Sequence, residues 1–500
     1  MVGRTALSLV CPCLVAPLVA CDAGPSIRPV PGETPLRRGP LTTRPIVFAT
    51  DDYYIRPSTT DAEEGWLRVP ENRQRPTGRQ FEIHFVRFPA RAARPSYPII
   101  YLAGGPGASG THSAAGDRFP LFMHLRRAAD VIALDQRGVA FTRPRPVCPG
   151  RWSYPLDRPL EEATLAAVMA PWLRRCADHW RDSVDLSAFN TRESADDLED
   201  LRQALGAEKL SLWGISYGTH LALAYIRRYP HRVHRAILAG VEGPDQTWKL
   251  PANVERSLRR LDSALAADPR ARKRIPNFLP RLTRTLAHLS RYPATVEVRD
   301  RRTGGRHRVT VGVLDLQRAL YFAQGERESI AELFRRVAPI LGGDYAPLAQ
   351  FAYRTRLERT DLVMALSTDC AAGATPARLA LIRRQAESAL LGDVANLDLR
   401  VGCAAWPVPT LGEEFRTAVS ADVPVLAISG TLDNRTPPEN AIEVLAGFRN
   451  GRHLVIEGAA HDDDLFLSSP EIREAMLRFL LTENPGVRRI VLRPIRFKLP

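Results

Sequence analysis

Lys209-Leu210-Ser211-Leu212-Trp213-Gly214-Ile215-Ser216-Tyr217-Gly218-Thr219-His220-Leu221-Ala222-Leu223-Ala224-Tyr225-Ile226 is the stretch that decides the fold. Its apolar start predicts a short buried strand. Thr219 to Tyr229 has the composition of a helix, stopped by Pro230. Between them lies Gly214-x-Ser216-x-Gly218, a serine on a strand-to-helix turn. Such a turn is so tight that side chains at the two glycine positions would strike the flanking elements, and the serine is pushed into the open. A serine hydroxyl is a poor nucleophile at neutral pH, so this reading demands a histidine base and an acid to orient it.

The chain order for such a sheet is serine, then acid, then histidine. Val423-Pro424-Val425-Leu426-Ala427-Ile428-Ser429-Gly430-Thr431-Leu432-Asp433 is an apolar strand running into a turn that ends on an aspartate. His453-Leu454-Val455-Ile456-Glu457-Gly458-Ala459-Ala460-His461 repeats the pattern and ends on a histidine. Each residue alone reads as a helix cap or a loop histidine. Both at strand ends, in order after the elbow, point to a Ser216–His461–Asp433 triad. An acyl-transfer site also needs two backbone donors for the oxyanion. Tyr217, next to the nucleophile, offers one, and the loop Gly104-Gly105-Pro106-Gly107 after the strand Pro98–Ala103 offers the other. Gly105 to Gly110 also fits the dinucleotide pattern G-x-G-x-x-G. That pattern wants an acid about 20 residues on, which neither Asp117 nor Asp135 supplies well, and it leaves the triad unexplained.

Tyr101-Leu102-Ala103-Gly104-Gly105-Pro106-Gly107, Asp135-Gln136-Arg137-Gly138 and Gly214-Ile215-Ser216-Tyr217-Gly218-Thr219 together resemble the α/β-hydrolase serine peptidases. The closer likeness is to the prolyl iminopeptidase and tripeptidyl aminopeptidase group. Asn190 to Arg202, with Leu205-Gly206, also resembles the helix those enzymes carry before the elbow. Ala103 stands where prolyl iminopeptidases usually have histidine, which favours the secreted tripeptidyl branch. The resemblance implies an α/β fold, a mostly parallel sheet with helices on both faces and an inserted, mainly helical lid. It assigns Ser216 as nucleophile, His461 as base, Asp433 as orienting acid, and the N–H groups of Gly105 and Tyr217 as oxyanion donors. Arg137 is expected to brace the loop beneath the site.

The 500 residues, 45% hydrophobic and 25% charged, can bury a full core. The net charge of +14 is almost all arginine, spread along the chain without a basic stripe of interleaved aromatics, so no nucleic-acid surface is expected. No cysteine–histidine spacing suggests a metal, and no cofactor is expected. Residues 1–20 read as an export signal, with Arg4 before an apolar run too short to span a membrane. Leu18-Val19-Ala20-Cys21 resembles a lipoprotein box, so Cys21 is the expected lipid-bearing residue of a bacterial exported protein. Plain secretion is the alternative. Residues 21–58, rich in proline and arginine, read as a tether. Cys148, Cys176, Cys370 and Cys403 remain, and an exported chain favours their pairing, with three connectivities open. The resemblance implies the neighbouring pairs Cys148–Cys176 and Cys370–Cys403, although Asp369 precedes Cys370 where relatives place an aspartate after the cysteine.

The core is expected over 59–245 and 406–500, with the lid at 246–405 between them. Strands are expected at Phe81–Phe88, Ile99–Ala103, Val131–Asp135, Leu210–Trp213 and Ala236–Ala239. The expected chemistry is hydrolysis of peptide bonds near a free N-terminus, with a carboxylesterase and a non-catalytic binding protein as alternatives. An aminopeptidase must pair the substrate ammonium with carboxylates. Glu242, just past a strand end, is the first candidate, and Glu326 and Glu328 in the lid are others.

Overall fold

A computed structural model describes residues 25–50, 57–357 and 363–499. The export signal and Cys21 lie outside the described residues. In chain order the strands are β1 (Ser26–Pro29), β2 (Leu36–Arg38), β3 (Leu41–Ala49), β4 (Thr59–Pro70) and β5 (Gln80–Phe88). Then come β6 (Ile99–Leu102), β7 (Val131–Asp135), β8 (Leu210–Ile215) and β9 (Val233–Ala239). A separate hairpin of β10 (Ala294–Arg299) and β11 (Arg306–Val311) precedes β12 (Val425–Gly430), β13 (Gly451–Glu457) and β14 (Arg489–Val491).

One sheet runs in the order β1-β3-β4-β5-β7-β6-β8-β9-β12-β13-β14, with β2 paired to β3. From β7 to β14 every pairing is parallel, and β1 to β5 form an antiparallel wing. β7, β8 and β12 are buried at every residue. Parallel strands covered on both faces need such continuous apolar runs, which is why the sequence announced them. Alternate residues feed two cores. Ile100, Leu102, Leu210 and Leu212 face the helices Thr191–Ala204 and Tyr217–Arg228. Tyr101, Trp213 and Ile215 face Phe119–Leu125 and Pro470–Thr482.

Between β9 and β12 the chain leaves the sheet for a set of helices running from Pro251 to Ala405. They have their own core, built on Leu258, Leu282, Phe334 and Leu348. That core also takes in Leu432 and Ala460, the residues immediately before Asp433 and His461.

The tether expected over 21–58 is corrected in its described part: residues 26–49 carry β1, β2 and β3, and Ile46 and Phe48 are 1% and 0% exposed. Leu41 packs into one core while Ile46 and Phe48 pack into the other. A strand that buries opposite faces at its two ends shows no simple alternation, so its sequence looks irregular. β4 was missing from the expected strands as well. Both neighbouring disulfides are present, Cys148–Cys176 and Cys370–Cys403. Among the described residues no helix is long and apolar enough to cross a membrane.

Candidate active site

Ser216 sits between β8 and the helix Tyr217–Arg228 with φ +54° and ψ −124°, a region that L residues enter only under constraint. Its N–H donates to Ala239 O of the neighbouring strand (3.0 Å). A Cβ on Gly218 would lie 1.9 Å from Leu102 O, so only glycine lets the helix start this close to β6. The sequence builds an elbow, and the serine stands partly exposed among buried neighbours.

Asp433 follows β12 and is fully buried. Its Oδ1 accepts from the N–H groups of Arg435 and Thr436 (both 2.8 Å). Its Oδ2 accepts from Thr436 Oγ1 (2.7 Å) and from His461 Nδ1 (2.8 Å). Burial alone would raise this carboxyl, but the His461 charge and these hydrogen bonds outweigh it and hold Asp433 at about 2. His461 Nδ1 is committed to the aspartate, while Nε2 has no protein partner among the described residues. His461 and Ser216 do not hydrogen-bond to each other in this structure, but both border Gly240 and its strand end: a Cβ on Gly240 would lie 3.1 Å from His461 Cε1. The N–H groups of Gly105 and Tyr217 likewise have no acceptor among the described residues. A Cβ on Gly104, in the same loop, would lie 3.1 Å from Ser216 Cβ.

The histidine loop is fixed from two sides. Asp462, with φ +59°, pairs with Arg118, which also bonds Asp463 Oδ1 (2.5 Å) and Tyr101 Oη. From the helical insertion, Gly325 O accepts the His461 N–H (3.0 Å), and Asp464 Oδ2 accepts the N–H of Arg327 (2.9 Å). Glu326 lies between these two stitches. Burial and the charges of Asp462, Asp463 and Asp464 raise its carboxyl to about 7. Arg137 ties the turn after β7 to the end of β4 and to the helix Thr191–Ala204. It is buried, with Nε and Nη2 on Asp197 (2.8 and 2.7 Å) and Nη1 on the carbonyls of Glu71 and Ala188.

Glu242 is buried but not free. Its Oε2 takes Lys249 Nζ (2.5 Å) and its Oε1 takes Thr247 Oγ1 (3.2 Å). Despite burial, the Lys249 and His220 charges keep it below the usual glutamate range. Sequence reasoning missed this partner, although Lys249 follows by only seven residues and is one of four lysines in the chain. Beside Glu242 lies Asp369, whose carboxyl is pushed well up by burial and by the Glu242 charge, with Lys249 opposing. Among the described residues no cluster of side chains suits a metal ion.

Residues 97–465 match the α/β hydrolase fold family, and the chain belongs to that family. Among curated relatives it is 32% identical over 189 residues to the serine protease Hip1 of Mycobacterium tuberculosis, a match spanning 36% of each protein. The chain thus covers about a third of that relative's length. It is 25% identical over 469 residues to the tripeptidyl aminopeptidase of Streptomyces lividans, covering 86% of this chain and 83% of that protein. It is also 26% identical over 160 residues to the proline iminopeptidase of Neisseria meningitidis, covering 32% and 37%.

Proposed function

We propose that this chain is a serine hydrolase that cleaves peptide bonds near a free N-terminus through an acyl-enzyme. The carrying observation is the His461–Asp433 pair, with Nε2 left open beside a serine held at positive φ. Ser216 Oγ bonds to the scissile carbonyl carbon and passes its proton to His461 Nε2. The carbonyl oxygen becomes an oxyanion against the N–H groups of Gly105 and Tyr217. Collapse breaks the C–N bond, and the leaving amine takes the proton from His461. Water then repeats the sequence and releases the acid. Asp433 keeps Nδ1–H of the imidazole pointed away from the serine. The names of the relatives support a peptidase. Residues 246–405 act as the lid over this cleft.

The substrate ammonium is assigned to the Glu242 carboxyl, which it would share with Lys249. Export through residues 1–20 and a lipid anchor on Cys21 complete the reading, and the two disulfides fit an oxidising compartment. The deciding comparison is kcat/KM for free-amine and N-acetylated chromogenic peptide amides, beside short-chain esters, in wild type and Glu242→Gln. Acetylation should lower kcat/KM in wild type by removing the ammonium that Glu242 binds, and Glu242→Gln should shrink that difference. Equal rates on both amides would remove the aminopeptidase reading, and fast ester turnover with no amide turnover would establish a carboxylesterase. A wild-type product with an unmodified Cys21 by intact mass would overturn the anchor.

A further inference from the structure

A second histidine lies buried behind the oxyanion loop. His84, on β5, is 0% exposed. Its Nδ1 meets Asp135 Oδ2 at 2.9 Å and its Nε2 meets Glu64 Oε1 at 3.0 Å. Asp135, the last residue of β7, also accepts from Ser109 Oγ (2.6 Å), Thr111 N (3.2 Å) and Thr111 Oγ1 (2.8 Å). Glu64, on β4, accepts from Arg44 Nε (2.8 Å) and Nη2 (2.6 Å), on β3.

Ionised carboxylates only accept hydrogen bonds. Asp135 is surrounded by donors, and Glu64 is paired to a guanidinium, so both are ionised. Both ring nitrogens of His84 must then donate, which a neutral imidazole cannot do. Burial would discharge the ring, but the hydrogen bonds and charges of Asp135 and Glu64 outweigh it and raise its proton affinity above the ordinary histidine range. The other groups near the ring are uncharged or paired elsewhere. Trp66 and Phe141 pack against it, His112 stacks behind Phe141 and bonds Ser109, and Glu82 on the same strand faces Arg143.

Asp135 holds Ser109 and Thr111, where the loop carrying Gly104 and Gly105 ends. We propose that His84 is a positioning residue: a doubly donating imidazolium that, through Asp135, sets the oxyanion loop, so that its deprotonation imposes an alkaline limit on acylation of Ser216. This rests on the proposed oxyanion role of Gly105. Loss of the ring proton would leave two buried carboxylates facing a ring with one N–H, and the loop would lose its fixed anchor.

The test has two readouts. In protein labelled with nitrogen-15 histidine, both His84 ring nitrogens should be protonated at neutral pH, the signals being assigned by their absence in His84→Gln. The rate at which a fluorophosphonate phosphonylates Ser216, with loss of fluoride, should then be followed from neutral to alkaline pH. Wild type should fall on the alkaline side. Glu64→Gln should match wild type at lower pH but lose rate at a lower pH than wild type. His84→Gln should react with the fluorophosphonate roughly ten- to a hundredfold more slowly, without that alkaline fall. A single protonated ring nitrogen at neutral pH would overturn the proposal. So would an alkaline fall identical in wild type and Glu64→Gln, which decides the matter even where His84→Gln does not fold. A wild type that resists the reagent at every pH strikes at Ser216 as nucleophile instead, and the ring-nitrogen signals still decide the charge of His84.

Discussion

Two buried histidine–aspartate pairs sit in this sheet, and they are built alike. His461 Nδ1 meets Asp433 at 2.8 Å and His84 Nδ1 meets Asp135 at 2.9 Å. Asp135 ends β7 and Asp433 follows β12, and each is clasped by both the N–H and the hydroxyl of one threonine, Thr111 or Thr436. The difference lies at the far nitrogen. Nε2 of His84 is taken by Glu64, whereas Nε2 of His461 meets no protein group among the described residues. A His–Asp hydrogen bond therefore does not make a base. On the proposed mechanism, what suits His461 to act as a base is that its second nitrogen is left unclaimed.

The contrast can be broken most severely at the open pair. Ser216→Ala or His461→Ala should lower kcat by roughly 10³- to 10⁶-fold while the melting temperature stays near wild type. Asp433→Asn should cost about 10⁴-fold in kcat by spoiling the tautomer. Asp135→Asn should show the reverse balance, a modest loss of kcat but about 3–5 kcal/mol of stability in denaturant unfolding, because it removes one partner of a buried charge pair.

The two pairs should also respond to pH with opposite sign. Asp433 has a depressed pKa, so its contribution of about 2 kcal/mol is present above the ordinary aspartate range and lost as pH falls toward 2. His84 has a raised pKa, so its contribution is complete below the ordinary histidine range and lost as pH rises through its higher native value. Thermal melts across pH should lose part of their acid dependence in Asp433→Asn and part of their alkaline dependence in His84→Gln. Arg44→Gln should have the smallest effect, about 0.5–1 kcal/mol, because Arg44 is the partly exposed end of the closed pair's network.

The open pair was legible in the sequence and the closed one was not. Asp433 and His461 lie in turns just past apolar strands, and a fixed chain order says where to look for them. His84, Glu64 and Asp135 sit on three strands, 20 and 51 residues from one another in pairs, and no local pattern links them. β3 escaped for a related reason, since Leu41 and Phe48 face different cores. A mainly helical insertion was expected between the two parts of the core, and the helices between Pro251 and Ala405 stand there. The ion pair between Glu242 and Lys249 depended on how one loop folds back, which spacing alone does not fix.

The backbone bond from His461 N–H to Gly325 O joins this histidine to the helical insertion. Leu432 and Ala460 extend the join by packing into the insertion's core. In native-state hydrogen exchange the His461 amide should therefore report the opening of the insertion rather than that of the sheet. A proteolytic nick in the insertion should then release His461, the proposed base, with the sheet and Ser216 still in place.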